Sequence, residues 1–257
     1  MLFKNAGDRI VVVTDNTQLF NSFGNHIETI SINNDVIKEW EGEYQFFWRV
    51  KIKALQLVSG KYPSESILYL DGDTFFYHEM DSLRDGMKNG QNYMHVEEGK
   101  LSALSSKTER LMWKQMNGKT YHSIQIDKNS AMWNAGLIGI SHKHFSCLDL
   151  TLGINDAMCE DGVTRRLVEQ FAFSLGLNEF SALKPADNIV GHYWGNKKEW
   201  NEIISNFLKE CFMKHYSLDQ IIQKVKEIDF TQIPIKVKES STQRKLKNFI
   251  DQFYKNR

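Results

Sequence analysis

The tripeptide Asp71-Gly72-Asp73 places two carboxylates one small residue apart. Such a pair can converge on a hard divalent cation, Mg²⁺ or Mn²⁺, and the glycine lets the backbone turn sharply without a Cβ clash. A cation held this way would bridge to substrate phosphates. The same tripeptide is also a common surface turn that needs no metal. A second constellation follows at His192-Tyr193-Trp194-Gly195-Asn196-Lys197-Lys198-Glu199-Trp200. His192 offers an imidazole nitrogen, which Mn²⁺ accepts more readily than Mg²⁺. Gly195 permits close backbone approach to a phosphate, and Lys198 could balance pyrophosphate charge. Taken singly, a histidine beside aromatics reads as packed core, and Lys197-Lys198 reads as solvated surface. Together with the carboxylate pair, these residue types suit one task, holding a metal-bound diphosphate.

The elements that must position these residues can be read from the apolar pattern. Arg9 to Thr14 is a continuous β-branched run closed by Asp15-Asn16, the pattern of a strand buried on both faces of a parallel sheet. Ile27 to Ile32 is a weaker strand. Phe46 to Val58 reads as a helix with Phe47, Val50, Ala54 and Leu57 on one side, ended by Gly60 and Pro63. Ile67 to Leu70 is a short apolar strand that runs directly into Asp71, where ligands collect in open α/β sheets. Glu97 to Lys128 is a polar excursion with a short helix around Glu109 to Met116. Its Trp113 and Tyr121 are candidate faces for an acceptor sugar, or ordinary packing. A second apolar run covers Ala135 to Ile140. A helix from about Val163 to Leu175 carries Leu167, Val168, Phe171 and Leu175 together, with Gly176 as a C-cap. Strand, helix, strand implies an α/β fold.

Composition bounds the function. The chain has 257 residues, 41% of them hydrophobic, which is enough apolar material for a sizeable core. With 32 basic and 32 acidic residues, no global charge favours nucleic acid as a partner. Three cysteines, Cys147, Cys159 and Cys211, lack metal-ligand spacing and suit a reducing compartment as small buried hydrophobes. No apolar stretch approaches the roughly 18 residues that cross a bilayer, and no signal segment follows Met1, so the cytoplasm is the expected location. Residues 201 to 257 hold eleven Lys or Arg against seven Asp or Glu, in amphipathic stretches around Pro234. This extension, with Phe249, Phe253 and Tyr254, allows a peripheral contact with anionic lipid at the inner membrane face, or packs as a helix on the main domain.

Three ordered motifs carry a family resemblance. Leu68 to Thr74 resembles the DxD signature of GT-A nucleotide-sugar glycosyltransferases. Trp133 to Gly139, with Asn134-Ala135-Gly136, is similar to their NAG segment, and His192 to Trp200 resembles the His-x-x-Gly-x-x-Lys-Pro-Trp pattern of family 8, the glycogenin-like retaining enzymes. Glu199 stands where the family has proline. The resemblance implies a Rossmann-like GT-A fold, a mostly parallel sheet flanked by helices, over residues 1–200, with a helical C-terminal extension over 201–257. Ile10 to Val13 matches the family's second strand, so the resemblance also implies a domain lacking the first strand and helix, and with them part of the nucleotide pocket.

The resemblance implies that Asp71, Asp73 and His192 bind Mn²⁺ (or Mg²⁺), which holds the diphosphate of a UDP-sugar donor. It places Arg49 and Lys53, four apart on one helical face, near the donor sugar and phosphates. It sets Asn134 and Gly136 against the donor sugar, with Gln170 at the reacting sugar and Glu169 at a sugar hydroxyl. The implied activity is transfer of the sugar, with retention, to a glycan or glycolipid acceptor, and the many Lys, Asn and Ile residues suggest a bacterial glycan or surface-polysaccharide setting. Two alternatives differ in class. A weakened or inactive homologue would bind sugar nucleotide or glycan without turnover. A haloacid-dehalogenase-type phosphatase also puts two aspartates after a strand, but it wants Thr or Val at the position held by Phe75.

Overall fold

In the computed structural model, residues 7–236 are described. In chain order they form β1 (Val11–Thr14), β2 (Glu28–Ser31), α1 (Asn34–Glu41), α2 (Arg49–Lys61), β3 (Ile67–Leu70), β4 (Thr74–Phe76), α3 (Asp81–Lys88), β5 (Tyr93–Met94) and β6 (Glu97–Lys100). There follow α4 (Lys107–Met116), β7 (Thr120–Tyr121), β8 (Ile124–Gln125), β9 (Ala131–Trp133), β10 (Leu137–Ile140), α5 (Cys147–Glu160), α6 (Val168–Asn178), β11 (Lys184–Pro185), β12 (Val190–His192), α7 (Lys197–Met213) and α8 (Leu218–Lys226). The fold is α/β, with helices packed on several small sheets.

Strand direction departs from the expected parallel sheet. The central sheet runs β11-β5-β10-β3, and β10 lies antiparallel to both β3 and β5. Among the described strands only β1 with β2 and β11 with β5 pair in parallel. An unbroken apolar run reports burial on two faces and carries no direction. Here helices supply that burial for an antiparallel strand. Ile138 and Ile140 of β10 pack with Ile52 and Leu55 of α2 and with α5 and α6, while Leu137 joins Leu83 and Met87 of α3 on the other side. The β1 run is also less enclosed than its composition suggests, since all four of its residues are only half-buried.

Helices α5 and α6 both feed the two larger core clusters. Phe171 and Phe173 of α6 are fully buried, each contributing about 1.5–3 kcal/mol. Gly176 lies inside α6 instead of capping it. A Cβ there would lie 3.1 Å from the Thr151 backbone of α5 and would overlap its hydroxyl, so the glycine allows the close α5–α6 approach. In α2 the buried residues are Ile52 and Leu55, while Leu57 is 37% exposed and Phe47, just before the helix, is 58% exposed. The inward face is thus rotated from the one the apolar spacing suggests. Tyr121 is buried in the α4–α5–α6 core with its hydroxyl on Asp161, and Trp113 packs on the same cluster, so Tyr121 has no free ring face for a sugar.

All three cysteines are buried and unpaired. The segment after β12 forms α7 and α8, so the boundary expected between residues 200 and 201 falls inside α7. Trp200 of that helix stacks on Phe75 and Tyr193. Phe249, Phe253 and Tyr254 lie outside the described residues. No helix among those described is long and apolar enough to cross a membrane.

Candidate metal centre

Two strand pairings bring the distant motifs together. Leu70 pairs with Leu137, and the ladder continues as the Asp71 N–H donates to the Gly136 carbonyl at 2.9 Å. His192 of β12 pairs with Thr74 of β4, and the Tyr193 N–H donates to the Asp73 carbonyl at 3.0 Å. Asp71, Asp73 and His192 thereby each offer a ligand atom, all within 4.8 Å of one another. His192 Nε2 lies 3.2 Å from Asp73 Oδ1 and 3.9 Å from Asp71 Oδ2.

The hydrogen bonds around His192 fix which nitrogen bears the proton. Asn134 Oδ1 accepts from the Gly136 N–H at 3.0 Å, and Asn134 Nδ2 donates to Glu98 Oε1 at 3.0 Å. That orients the amide with its oxygen toward His192 Nδ1, 2.9 Å away, so Nδ1 must be the donor. In the neutral ring Nε2 then turns a lone pair toward two carboxylates. Two Asp oxygens plus one imidazole nitrogen converging in this way fit Mn²⁺ or Mg²⁺. Gly136 is required by this packing. A Cβ at that position would lie 2.7 Å from His192 Cγ and nearer still to Nδ1. His95 braces the other side of the ring edge-on at 5.4 Å, with its Nε2 on the Val190 carbonyl at 2.9 Å. Burial lowers the His95 pKa, which keeps that ring uncharged beside the cluster.

Two lysines flank the carboxylates. Burial alone would raise Asp73, but the Lys197 ammonium, 2.8 Å away, holds it below the usual carboxylate range. Lys51 has only 9% of its side chain exposed and lies 2.9 Å from Glu169 Oε1 and 3.4 Å from Asp71 Oδ1. Desolvation opposes its charge, yet the carboxylates of Glu169 and Asp71 win and raise the Lys51 pKa. Burial pushes Glu169 upward against the pull of Lys51. Tyr69 completes this side, donating to Asp71 Oδ1 at 2.6 Å with its ring beneath the Lys51 ammonium.

The remaining predicted residues fall in different places. Gln170 Nε2 donates to Glu98 Oε2 at 3.0 Å, and its Oε1 accepts from the Ala135 N–H at 3.4 Å. Arg49 grips Asp156 of α5 with two hydrogen bonds, at 2.7 and 2.9 Å, and caps the Trp40 carbonyl, tying α1, α2 and α5 together. Lys53 makes no hydrogen bond or ion pair among the described residues. Lys198 lies exposed in the first turn of α7. Gly195 is packed by Lys236, whose Cγ would sit 2.8 Å from an added Cβ and whose ammonium lies over Trp194.

Sequence reasoning missed Lys51, Lys197 and Glu98. Lys51 sits midway between Arg49 and Lys53, hence on the opposite side of a helix with 100° per residue. The buried Ile52 and Leu55 were the available signal for that inward phase. No protein-family model matches the chain, and no curated protein is significantly similar to it.

Proposed function

We propose that this chain is a metal-dependent glycosyltransferase of GT-A, family 8-like type, moving a sugar from a UDP-sugar to an acceptor hydroxyl of a glycan or glycolipid. The reading rests on one observation, the convergence of Asp71, Asp73 and His192 at the end of β3. In this reading Asp71, Asp73 and His192 hold Mn²⁺ or Mg²⁺. When bound, the cation supplies Lewis-acid stabilisation of the negative charge that develops on the departing diphosphate.

The chain's own residues do the rest. Lys197 adds positive charge at Asp73, and Lys51 carries the role that the resemblance implies for Arg49 and Lys53. Glu169 and Gln170, adjacent on α6, address the donor sugar. Both are restrained beforehand, Glu169 by Lys51 and Gln170 by Glu98, so little ordering is left to the moment of reaction.

The test is UDP release from a panel of UDP-sugars, with and without a model glycan acceptor. Release that needs Mn²⁺, stops with chelator and is lost in Asp73→Asn supports the reading. Mn²⁺-dependent UDP binding with no turnover of any donor would make the chain a sugar-nucleotide-binding module instead. No binding at all would refute both.

A further inference from the structure

We propose that Glu98 is a positioning residue that fixes the tautomer of His192 through Asn134 and thereby sets the cation affinity of the cluster. The inference deepens the metal-site reading and rests on it for the affinity arm of its test.

Glu98, in β6, touches neither carboxylate of the Asp71–Asp73 pair by any hydrogen bond among the described residues. Its two oxygens are divided instead: Oε1 accepts from Asn134 Nδ2 and Oε2 accepts from Gln170 Nε2, both at 3.0 Å. A carboxylate can only accept, so it forces both amides to present their NH₂ groups. Asn134 is left with its oxygen facing the other way, where it meets the Gly136 N–H and His192 Nδ1. The proton is thus pinned on Nδ1, and Nε2 is left as a lone pair aimed at Asp73 and Asp71. Were Asn134 to turn over, its NH₂ would confront the Gly136 N–H, and Nδ1 would have to become the acceptor. Nε2 would then carry a hydrogen into the space where a cation must sit. A ligating histidine is commonly held by a partner on its other nitrogen; here that partner is itself held by a third residue.

Glutamine separates this hydrogen-bonding role from one of mere charge. In Glu98→Gln the new carbonyl can still accept from Asn134 Nδ2, while its NH₂ turns toward Gln170. Gln170 can invert its amide at small loss, because among the described residues its only other bond through that group is the long one from Ala135. In Glu98→Ala the acceptor is gone.

The experiment measures two quantities on wild type, Glu98→Gln and Glu98→Ala. The first is the His192 tautomer in the metal-free protein, by ¹⁵N NMR of the imidazole nitrogens above the imidazole pKa. The second is Mn²⁺ affinity by calorimetry. The proposal expects a pure Nδ1–H ring in wild type and Glu98→Gln, a mixed or inverted ring in Glu98→Ala, and Mn²⁺ affinity about 10-fold or more weaker in Glu98→Ala alone. It is overturned if the ring stays Nδ1–H in Glu98→Ala, or if both variants lose affinity equally with the tautomer unchanged, since Glu98 would then act only through its charge. If wild type binds no Mn²⁺, the metal reading fails, while the tautomer comparison still decides whether Glu98 sets the proton on His192.

Discussion

Replacing Lys51 by methionine isolates the buried charge pair beside the cluster. Methionine keeps an unbranched apolar stem over Tyr69 and deletes the ammonium, so Glu169, equally enclosed with 9% of its side chain exposed, loses its counter-charge. Breaking a buried pair in this way costs about 3–5 kcal/mol. At 2–4 °C per kcal/mol for a domain of this size, the melting temperature falls by roughly 6–20 °C. The pH dependence follows from Glu169, whose pKa burial already raises and which moves further up once Lys51 is gone. A carboxyl that binds its proton more tightly folded than unfolded favours the folded state at low pH. The variant's deficit is therefore small near pH 5 and grows by up to ~1.4 kcal/mol per pH unit above it. It levels off once the folded pKa of Glu169 is passed. Urea denaturation of wild type and Lys51→Met between pH 5 and pH 9 measures this directly, and adding Glu169→Gln to Lys51→Met should recover most of the loss at pH 8. A deficit below 1 kcal/mol at pH 8, or one independent of pH, would refute the buried-pair argument.

Two further outcomes follow from the geometry. Gly136→Ala drives a methyl group into the His192 ring, so Mn²⁺ binding should be lost while the fold survives with a penalty of about 1–3 kcal/mol; calorimetry showing unchanged Mn²⁺ affinity would remove His192 from the centre. Arg49→Ala should cost about 1–3 kcal/mol through its lost bonds to Asp156 and Trp40 while leaving UDP binding intact. Unaltered stability with abolished UDP binding would instead place Arg49 at the donor.

The legible parts of the molecule are those where short-range chemistry leaves one solution. Ile67 to Leu70 ends at Asp71 because an apolar run gives way to a turn, and β3 stops there too. What the pattern could not carry is direction and phase. The β10 run looks the same parallel or antiparallel once helices cover both its faces. In α2, three basic residues alternate at 49, 51 and 53, and the apolar residues of one turn do not say which faces inward. Packing against β3 and α6 settles it for Lys51, and Asp156 on α5 takes Arg49. Glu98 was invisible for another reason. Its partners, Asn134 and Gln170, lie 36 and 72 residues away, and nothing local marks a half-buried glutamate as the anchor of a histidine network.

The central claim is that Asp71, Asp73 and His192 hold a divalent cation that receives a nucleoside diphosphate. Calorimetric titration of UDP into the wild-type protein and into the Asp71→Asn, Asp73→Asn double variant, each with and without Mn²⁺, tests it most directly. UDP should bind wild type only when Mn²⁺ is present and should not bind the double variant in either condition. Equal UDP affinity with and without Mn²⁺, or binding that survives the double substitution, would contradict it.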